Sequence, residues 1–301
     1  MNDRTKLSFG IKTSQSGITY DDILRIWREA DTIDVFEHAW LWDHMIPLRG
    51  PVTRAALEAW TLLAALAAQT QRLRLGVIVT SNRLRPPTVL AKMAATVDIV
   101  SAGRLEFGIG AGGSEVRGNP AGLEMVHREF DAYGIPVVPP GEAVRALAEA
   151  CTIIRRMWTE DKPFDFDGRC YTLKGAVGEP KPMQQPHPPI LIGAGGERAL
   201  RVVAEHADVW NCPTGDAQEF RRKSQILDEH CATVGRSPGE ITRSVQILVP
   251  GDDPAASRAK LLELIDAGVT HLVLAPLAPL RPAAWLADEI IEPVLAEVRS
   301  G

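Results

Sequence analysis

The triplet Trp42, Asp43 and His44 ends an apolar segment and places a carboxyl group beside an imidazole. Imidazole titrates near neutral pH, so a histidine in such a position can donate or accept a proton during catalysis. The alternative is an aspartate that caps a helix next to a surface histidine. By itself the triplet predicts either an acid–base pair or a local helix cap.

A glycine-rich turn follows a second apolar segment, residues 190–193, and leads into a helical pattern that begins at Glu197. Backbone N–H groups at the start of a helix bind phosphate, with help from the helix dipole. Glycine turns of this kind also simply end strands. We favour a phosphate site at Gly195 and Gly196.

A second glycine cluster, residues 108–113, matches GxGxxG after an apolar segment. A dinucleotide fingerprint would open a helix, whereas residues 114–120 have the composition of a loop. Two interpretations stay open: backbone passing close to a flat ligand, or a turn that requires positive φ. Arg83 and Arg85 follow another apolar segment and could attract an anionic group, although arginines on a solvated loop are common.

Other classes of function find no support in the sequence. The seven histidines and four cysteines lack HExxH and CxxC spacing, so we expect no metal site and no disulfides. The net charge of -5 and the absence of a basic stripe argue against nucleic acid as a partner. The N-terminal residues lack a signal-peptide pattern, and the apolar segments are too short to span a bilayer. We expect a cytoplasmic protein that acts on a small molecule.

The candidate residues lie within a regular alternation of strands and helices. Such alternation implies parallel strands joined by right-handed crossovers. We therefore predict one α/β domain over residues 1–301, a (β/α)8 TIM barrel, with an open doubly wound sheet as the alternative. The predicted strands are 6–11, 38–42, 73–80, 105–109, 189–193, 208–210, 244–249 and 270–275, and the predicted helices are 21–31, 55–70, 87–100, 142–158, 197–205, 217–234, 255–267 and 282–299.

Two connections, residues 111–140 and 160–188, are too long for simple turns. Long loops in compact domains are usually lids or binding loops, and the alternative is a flexible surface excursion. The first follows the fourth strand, so in a barrel it would lie over the active-site face.

Taken together, these segments resemble the luciferase-like monooxygenase superfamily, and within it the branch that uses the deazaflavin coenzyme F420. The branch that uses FMN shares much of the same pattern, so FMN is the alternative cofactor. The segments that carry the resemblance are 42–44, 72–76 with Thr80, 87–105, 107–112, 133–136, 185–196 and 207–211.

The resemblance implies specific roles. His44 would exchange a proton beside the ring, with Asp43 steering it. A non-proline cis peptide at Val77–Ile78 would support the ring. The remaining cofactor contacts would come from Thr80, Ala111 and Gly112 near the ring and from Gly195, Gly196, Arg198 and Ala199 at the phosphate.

The sequence departs from the sugar-phosphate dehydrogenases of this family at one position. Their proton-accepting glutamate is Gly113 here, with Glu115 two residues later, so glucose-6-phosphate chemistry is not expected. The hypothesis is an F420-dependent oxidoreductase that transfers hydride between the deazaflavin C5 and a small organic substrate. An FMN-dependent monooxygenase and a non-catalytic flavin-binding homologue are the alternatives. The substrate would be selected by the two long connections and by Cys212, and the family likeness suggests a homodimer.

Overall fold

A computed structural model describes residues 7–48, 50–112, 120–277 and 281–300 of the chain. Eight parallel strands close into a barrel, because the first strand pairs with the second on one side and with the last on the other. The predicted (β/α)8 barrel is confirmed. Its strands are β1 (Ser8–Lys12), β2 (Phe36–Leu41), β3 (Arg74–Val77), β5 (Leu105–Gly110), β8 (Ile190–Gly193), β9 (Val209–Cys212), β10 (Thr242–Val249) and β11 (His271–Pro276).

The third barrel strand is interrupted and then resumes as the short strand β4 (Thr80–Ser81). Both pieces pair with β5. The non-proline cis peptide lies at Ile78–Val79, within this interruption. The prediction of Val77–Ile78 was therefore wrong by one residue, because the family resemblance locates the segment but not the individual bond.

The eight predicted helices are confirmed, two of them at the expected bounds. Helix α7 (Ala217–Val234) has capping residues at both ends: Asp216 accepts a hydrogen bond from the N–H of Glu219, and Gly235 adopts φ of 72°. The last helix is divided by a π-helical turn at Ala287–Ile291. The helices are α1 (Tyr20–Asp31), α2 (Ala59–Ala67), α3 (Pro87–Val100), α5 (Pro140–Thr159), α6 (Glu197–His206), α7 (Ala217–Val234), α8 (Pro254–Asp266), and α9 (Ala283–Leu286) with α10 (Glu292–Ser300).

The two long connections contain secondary structure that the sequence analysis did not predict. The first holds helix α4 (Pro120–Ala132), and the second holds an antiparallel hairpin of β6 (Phe164–Asp167) and β7 (Thr172–Ala176). The sequence analysis missed α4 because glycine and proline near its start are typical of a loop. These two elements lie next to the carboxyl end of the barrel strands, which we call the barrel mouth.

The main core lies between the barrel and its helices, and a smaller cluster fills the barrel interior. That interior cluster consists of Trp40, Ile78, Leu191 and Val273. These side chains fill the barrel, so no channel passes through it. In this fold, ligands bind at the carboxyl ends of the strands. Within the described residues, no helix is long and apolar enough to cross a membrane.

Candidate active site at the carboxyl end of the barrel

His44 lies in the loop after β2, at the carboxyl end of the barrel. Its Nδ1 is 3.0 Å from Oε2 of Glu129, which comes from helix α4. The Glu129 side chain is only 3% exposed, whereas that of His44 is 30% exposed. The other oxygen of Glu129 accepts the backbone N–H of Met45. The structure thus forms a buried carboxylate–histidine pair whose two members are 85 positions apart in the chain.

This pair leaves one imidazole nitrogen for a ligand. When Nδ1 donates its hydrogen to the carboxylate, Nε2 of the neutral ring is an acceptor, and in the protonated ring it is a donor. Among the described residues, Nε2 of His44 has no hydrogen-bond partner. His44 can therefore take or give a proton at Nε2 while Glu129 holds the ring.

The loop that carries His44 is fastened from two sides. Gln15 is fully buried, and it donates to the carbonyl of Trp42 at 2.6 Å and accepts from the Trp42 N–H at 3.2 Å. From the α4 side, the hydroxyl of Tyr133 donates to the carbonyl of Met45 at 3.2 Å. A ring placed by several fixed contacts loses little freedom when it reacts, which favours catalysis.

Asp43 faces a different partner from the one predicted. Its two oxygens accept from the guanidinium of Arg85 at 2.8 and 3.0 Å, and Oδ2 also accepts the Ser81 N–H at 2.9 Å. Arg85 also contacts Glu58. Burial raises the pKa of Asp43 despite the opposing effect of Arg85. Asp43 therefore pairs with Arg85, and its contact with the Ser81 N–H links the loop after β2 to β4. The partner of His44 is Glu129.

The predicted ring-contacting residues of β3 and β4 point mostly away from the barrel mouth. Val77 and Thr80 are fully buried, and the Thr80 hydroxyl accepts from Nε1 of Trp60 at 3.1 Å. Ile78 belongs to the interior cluster. The side chain at the mouth is that of Val79, since a methyl group placed at Gly110 or Gly193 would lie 2.8 or 2.9 Å from it.

The glycine cluster after the fourth barrel strand serves close packing and a turn. A methyl group at Gly108 would collide with the carbonyl of Val77. Gly112 has φ of 68° and lies against Ser81, next to the half-buried Ala111. Gly112 therefore agrees with the interpretation as a turn of positive φ. The close approach at Gly108 is to protein backbone, and a ligand beside this cluster stays a prediction. Gly113 and Glu115 lie outside the described residues.

The second glycine turn has the form expected of a phosphate site. Gly196 is the N-cap of α6 and contributes no side-chain cap, and a methyl group at this position would meet no atom within 4 Å. Gly195 packs against Pro213, and a methyl group there would lie 3.2 Å from Nζ of Lys223. Arg198 and Ala199 are in the first turn of α6, where the Ala199 N–H already donates to the Gly196 carbonyl. These residues fit a bound phosphate, and Lys223 is a cation that the sequence analysis missed.

Two further residues, Lys12 and Cys212, have pKa values that burial shifts. Lys12 ends β1, and its ammonium donates to Oε1 of Gln246 at 2.7 Å; burial lowers its pKa to about 8. Cys212 is fully buried, and burial raises the pKa of its thiol to about 12. Cys212 is therefore placed to pack rather than to select a substrate as predicted. Among the described residues, no group of three or more His, Cys, Asp and Glu side chains could hold a metal ion.

The fold and this geometry define a (β/α)8 barrel protein with a histidine–carboxylate pair and a glycine turn that begins a helix at its carboxyl end. The chain belongs to the luciferase-like monooxygenase family, whose model matches residues 5–292.

Known proteins with similar sequences include two oxidoreductases. A phthiodiolone/phenolphthiodiolone dimycocerosates ketoreductase of Mycobacterium sp. (strain JLS) is 32% identical over 66% of this chain and 49% of its own length. An F420-dependent glucose-6-phosphate dehydrogenase of Kineococcus radiotolerans is 30% identical over 73% of this chain and 61% of its own length. The chain thus spans about half to three fifths of these relatives.

Solved structures extend the similarity of fold. An F420-dependent secondary alcohol dehydrogenase with an F420–acetone adduct superposes with a TM-score of 0.80 at 17% identity, covering 98% of this chain and 100% of its own. A riboflavin lyase with modified FMN superposes with a TM-score of 0.74 at 14% identity, covering 97% and 92%. The relatives with similar sequences thus include an F420-dependent oxidoreductase.

Proposed function

We propose that this protein is an F420-dependent oxidoreductase that moves a hydride between the deazaflavin C5 and a small organic substrate. The observation that carries the proposal is the His44–Glu129 pair at the barrel mouth, with the imidazole Nε2 available to a ligand. The F420-dependent relatives support the choice of cofactor.

The residues at the phosphate turn suit the cofactor. The open space at Gly196, the uncapped start of α6 and the nearby Lys223 would hold its phosphate. Val79 and Gly112 would border its ring. When bound, the deazaflavin supplies the hydride chemistry, and the protein supplies orientation and proton transfer.

His44 is the proton-transfer residue of this proposal. It donates from Nε2 when a carbonyl substrate is reduced and accepts at Nε2 when an alcohol is oxidised. Glu129 fixes the ring through Nδ1 and stabilises the imidazolium that forms when His44 accepts a proton. Asp43 acts indirectly, since its pair with Arg85 holds the loop that carries His44.

The test begins with fluorescence titration of the purified protein with F420 and with FMN. We expect F420 to bind more tightly. Reduced F420 is then mixed with a panel of ketones and aldehydes, and oxidised F420 with alcohols, while the ring absorbance is followed. His44→Asn should lower turnover by about 10²- to 10⁴-fold without weakening F420 binding. His127→Asn, an exposed histidine on α4, is the matched control. Wild-type turnover in His44→Asn would refute the role of His44.

An FMN-dependent monooxygenase is the second candidate, and the FMN-bound neighbour favours it. It predicts a yellow protein that binds FMN in preference to F420 and consumes oxygen with reduced flavin. A non-catalytic homologue would bind cofactor without turnover in any arm of the panel. A homodimer and a cytoplasmic location stay predictions.

A further inference from the structure

Lys12 is a cation on the inner face of the barrel, at the carboxyl end of β1. It is the last residue of that strand and is paired in register with Trp40 of β2. Residues that are paired on neighbouring strands share a face of the sheet, and Trp40 belongs to the interior cluster, so Lys12 also projects into the barrel. The cluster is closed to solvent, whereas Lys12 is only half-buried. Its exposed part therefore faces the barrel mouth.

The Lys12 ammonium has no counter-ion in the part of the chain that the structure describes. Its Nζ donates to Oε1 of Gln246 at 2.7 Å, and no described carboxylate lies within ion-pair distance of it. The carboxylates of Asp43 and Glu129, which lie near the mouth, have other partners. Burial lowers the pKa of Lys12 to about 8, so most molecules still carry its charge at pH 7. A half-buried charge without a counter-ion is costly, and an anionic ligand would remove that cost.

Two neighbours on β10 complete a surface around this ammonium. Gln246 is paired in register with Val273 of the interior cluster, so its side chain also lies on the inner face. Because Oε1 of Gln246 accepts from Lys12, its amide Nε2 is left as a second donor. Leu248 is two residues further along the same face of β10, and it is 57% exposed. Two polar donors and an exposed apolar side chain thus lie together on the inner face of the barrel.

This surface lies across the mouth from the proposed position of the cofactor ring. In the closed ring of eight strands, β1 is opposite β8, and β10 is opposite the interrupted strand β3–β4. Val79 lies in that interruption and contacts the position of Gly193 on β8. Strand β2, which leads into the loop of His44, is the neighbour of β1. A molecule that faces the ring from this side would contact Lys12 and lie on the same side of the mouth as His44.

We propose that Lys12, Gln246 and Leu248 form the substrate-recognition site, and that the substrate is an organic carboxylate with an apolar chain. This inference rests on the proposed function, since it assigns a substrate class to that reaction. The ammonium and the Gln246 amide donate to the carboxylate oxygens, and the chain packs against Leu248. One ammonium balances the single charge of a carboxylate, whereas a phosphate monoester carries nearly two charges at pH 7.

The binding test uses hexanoate and its neutral amide, hexanamide, which differ mainly in charge. Calorimetric titrations are carried out with the cofactor-free protein and with the F420-loaded protein. Hexanoate should bind about tenfold more tightly than hexanamide. In Lys12→Met the two affinities should be nearly equal, whereas Lys12→Arg should keep part of the preference. Lys162→Met, at an exposed position, is the control for a simple change of charge. Leu248→Ser should weaken both ligands to the same extent, because both carry the apolar chain.

The folding of the variants is checked by urea unfolding. The midpoint of Lys12→Met should not fall, because the substitution removes a charge that burial disfavours. The turnover test then mixes reduced F420 with α-ketoisocaproate and levulinate and with their methyl esters. Lys12→Met should raise KM for the keto acids about tenfold and leave KM for the esters unchanged.

The outcomes separate this proposal from the proposed function. If the wild-type protein binds hexanoate and hexanamide equally, or if the preference survives in Lys12→Met, the anionic site is refuted while the proposed function stands. If the preference depends on Lys12 but esters are reduced as efficiently as keto acids, the assigned substrate class is refuted. If the preference depends on Lys12 but F420 does not bind, the proposed function is refuted while the anionic site stands.

Discussion

Replacing Arg85 by methionine should destabilise the protein far more than removing an exposed arginine. Arg85 and Asp43 are 10% and 1% exposed, and the guanidinium meets both carboxylate oxygens. Methionine keeps the unbranched apolar part of the side chain but leaves Asp43 buried without its cation. Removing one partner of a buried ion pair typically costs about 3–5 kcal/mol. We therefore expect a loss of this size in the free energy of unfolding at pH 7.

The matched control is Arg25→Met. Arg25 lies 3.7 Å from Asp22, and the two side chains are 53% and 36% exposed. Exposed pairs are screened by water and contribute little, so the control should lose much less stability than Arg85→Met. Both variants are measured by urea unfolding, followed by tryptophan fluorescence. The slope of the transition should stay that of the wild type, so that the shift of the midpoint reports stability.

The stability loss of Arg85→Met should depend on pH, and the pKa of Asp43 sets the direction of that dependence. Burial already raises the pKa of Asp43, and Arg85 opposes that rise. Without Arg85 the folded-state pKa rises further, so the folded state binds a proton that the unfolded state releases. The stability deficit should therefore be largest at pH 7 and shrink as the pH falls through that pKa. Adding Asp43→Asn should recover part of the loss at pH 7. Equal losses for Arg85→Met and Arg25→Met would refute the reasoning, since Asp43 would then not need its partner.

Three further predictions follow from the site and its surroundings. Glu129→Gln should lower turnover by about 10- to 100-fold, because a neutral amide stabilises an imidazolium less than a carboxylate does, while F420 affinity and stability change little. The control is Glu124→Gln, at an exposed position on the same helix. Equal turnover in the two variants would contradict the role of Glu129 as the partner of His44. Gly196→Ala should leave the urea midpoint unchanged, because its methyl group meets no protein atom. It should weaken the binding of the phosphorylated deazaflavin but not that of the ring-only form. Equal effects on the binding of both forms would show that the phosphate does not bind at this turn. Burial lowers the pKa of His206 to about 4, and the charge of Arg155 adds to this effect. Stability that is present above pH 6.5 should therefore be lost as the pH falls toward 4, by on the order of 3 kcal/mol. Acid unfolding of His206→Gln should lose much of that slope, whereas His127→Gln, at an exposed position on α4, should keep it.

Patterns in the sequence were sufficient to predict the architecture. The alternation of short apolar segments with helical periodicity predicted all eight barrel strands and their helices, because each pattern is local and repeats along the chain. The same reasoning placed His44 and the Gly195–Gly196 turn at the ends of strands, and parallel strands that close into a barrel bring those ends to one face.

The contacts between polar side chains, in contrast, depend on how distant segments pack. Glu129 lies on a helix hidden by neighbouring glycine and proline, and its contact with His44 crosses 85 positions of the chain. Adjacency had suggested Asp43 as the partner of His44, but its carboxylate turns toward Arg85, 42 positions away. Lys223, which lies beside the Gly195–Gly196 turn, also comes from a distant segment. Periodicity fixes which face of an element is buried, but the partner of a polar group depends on how distant elements pack, and no local pattern encodes that choice.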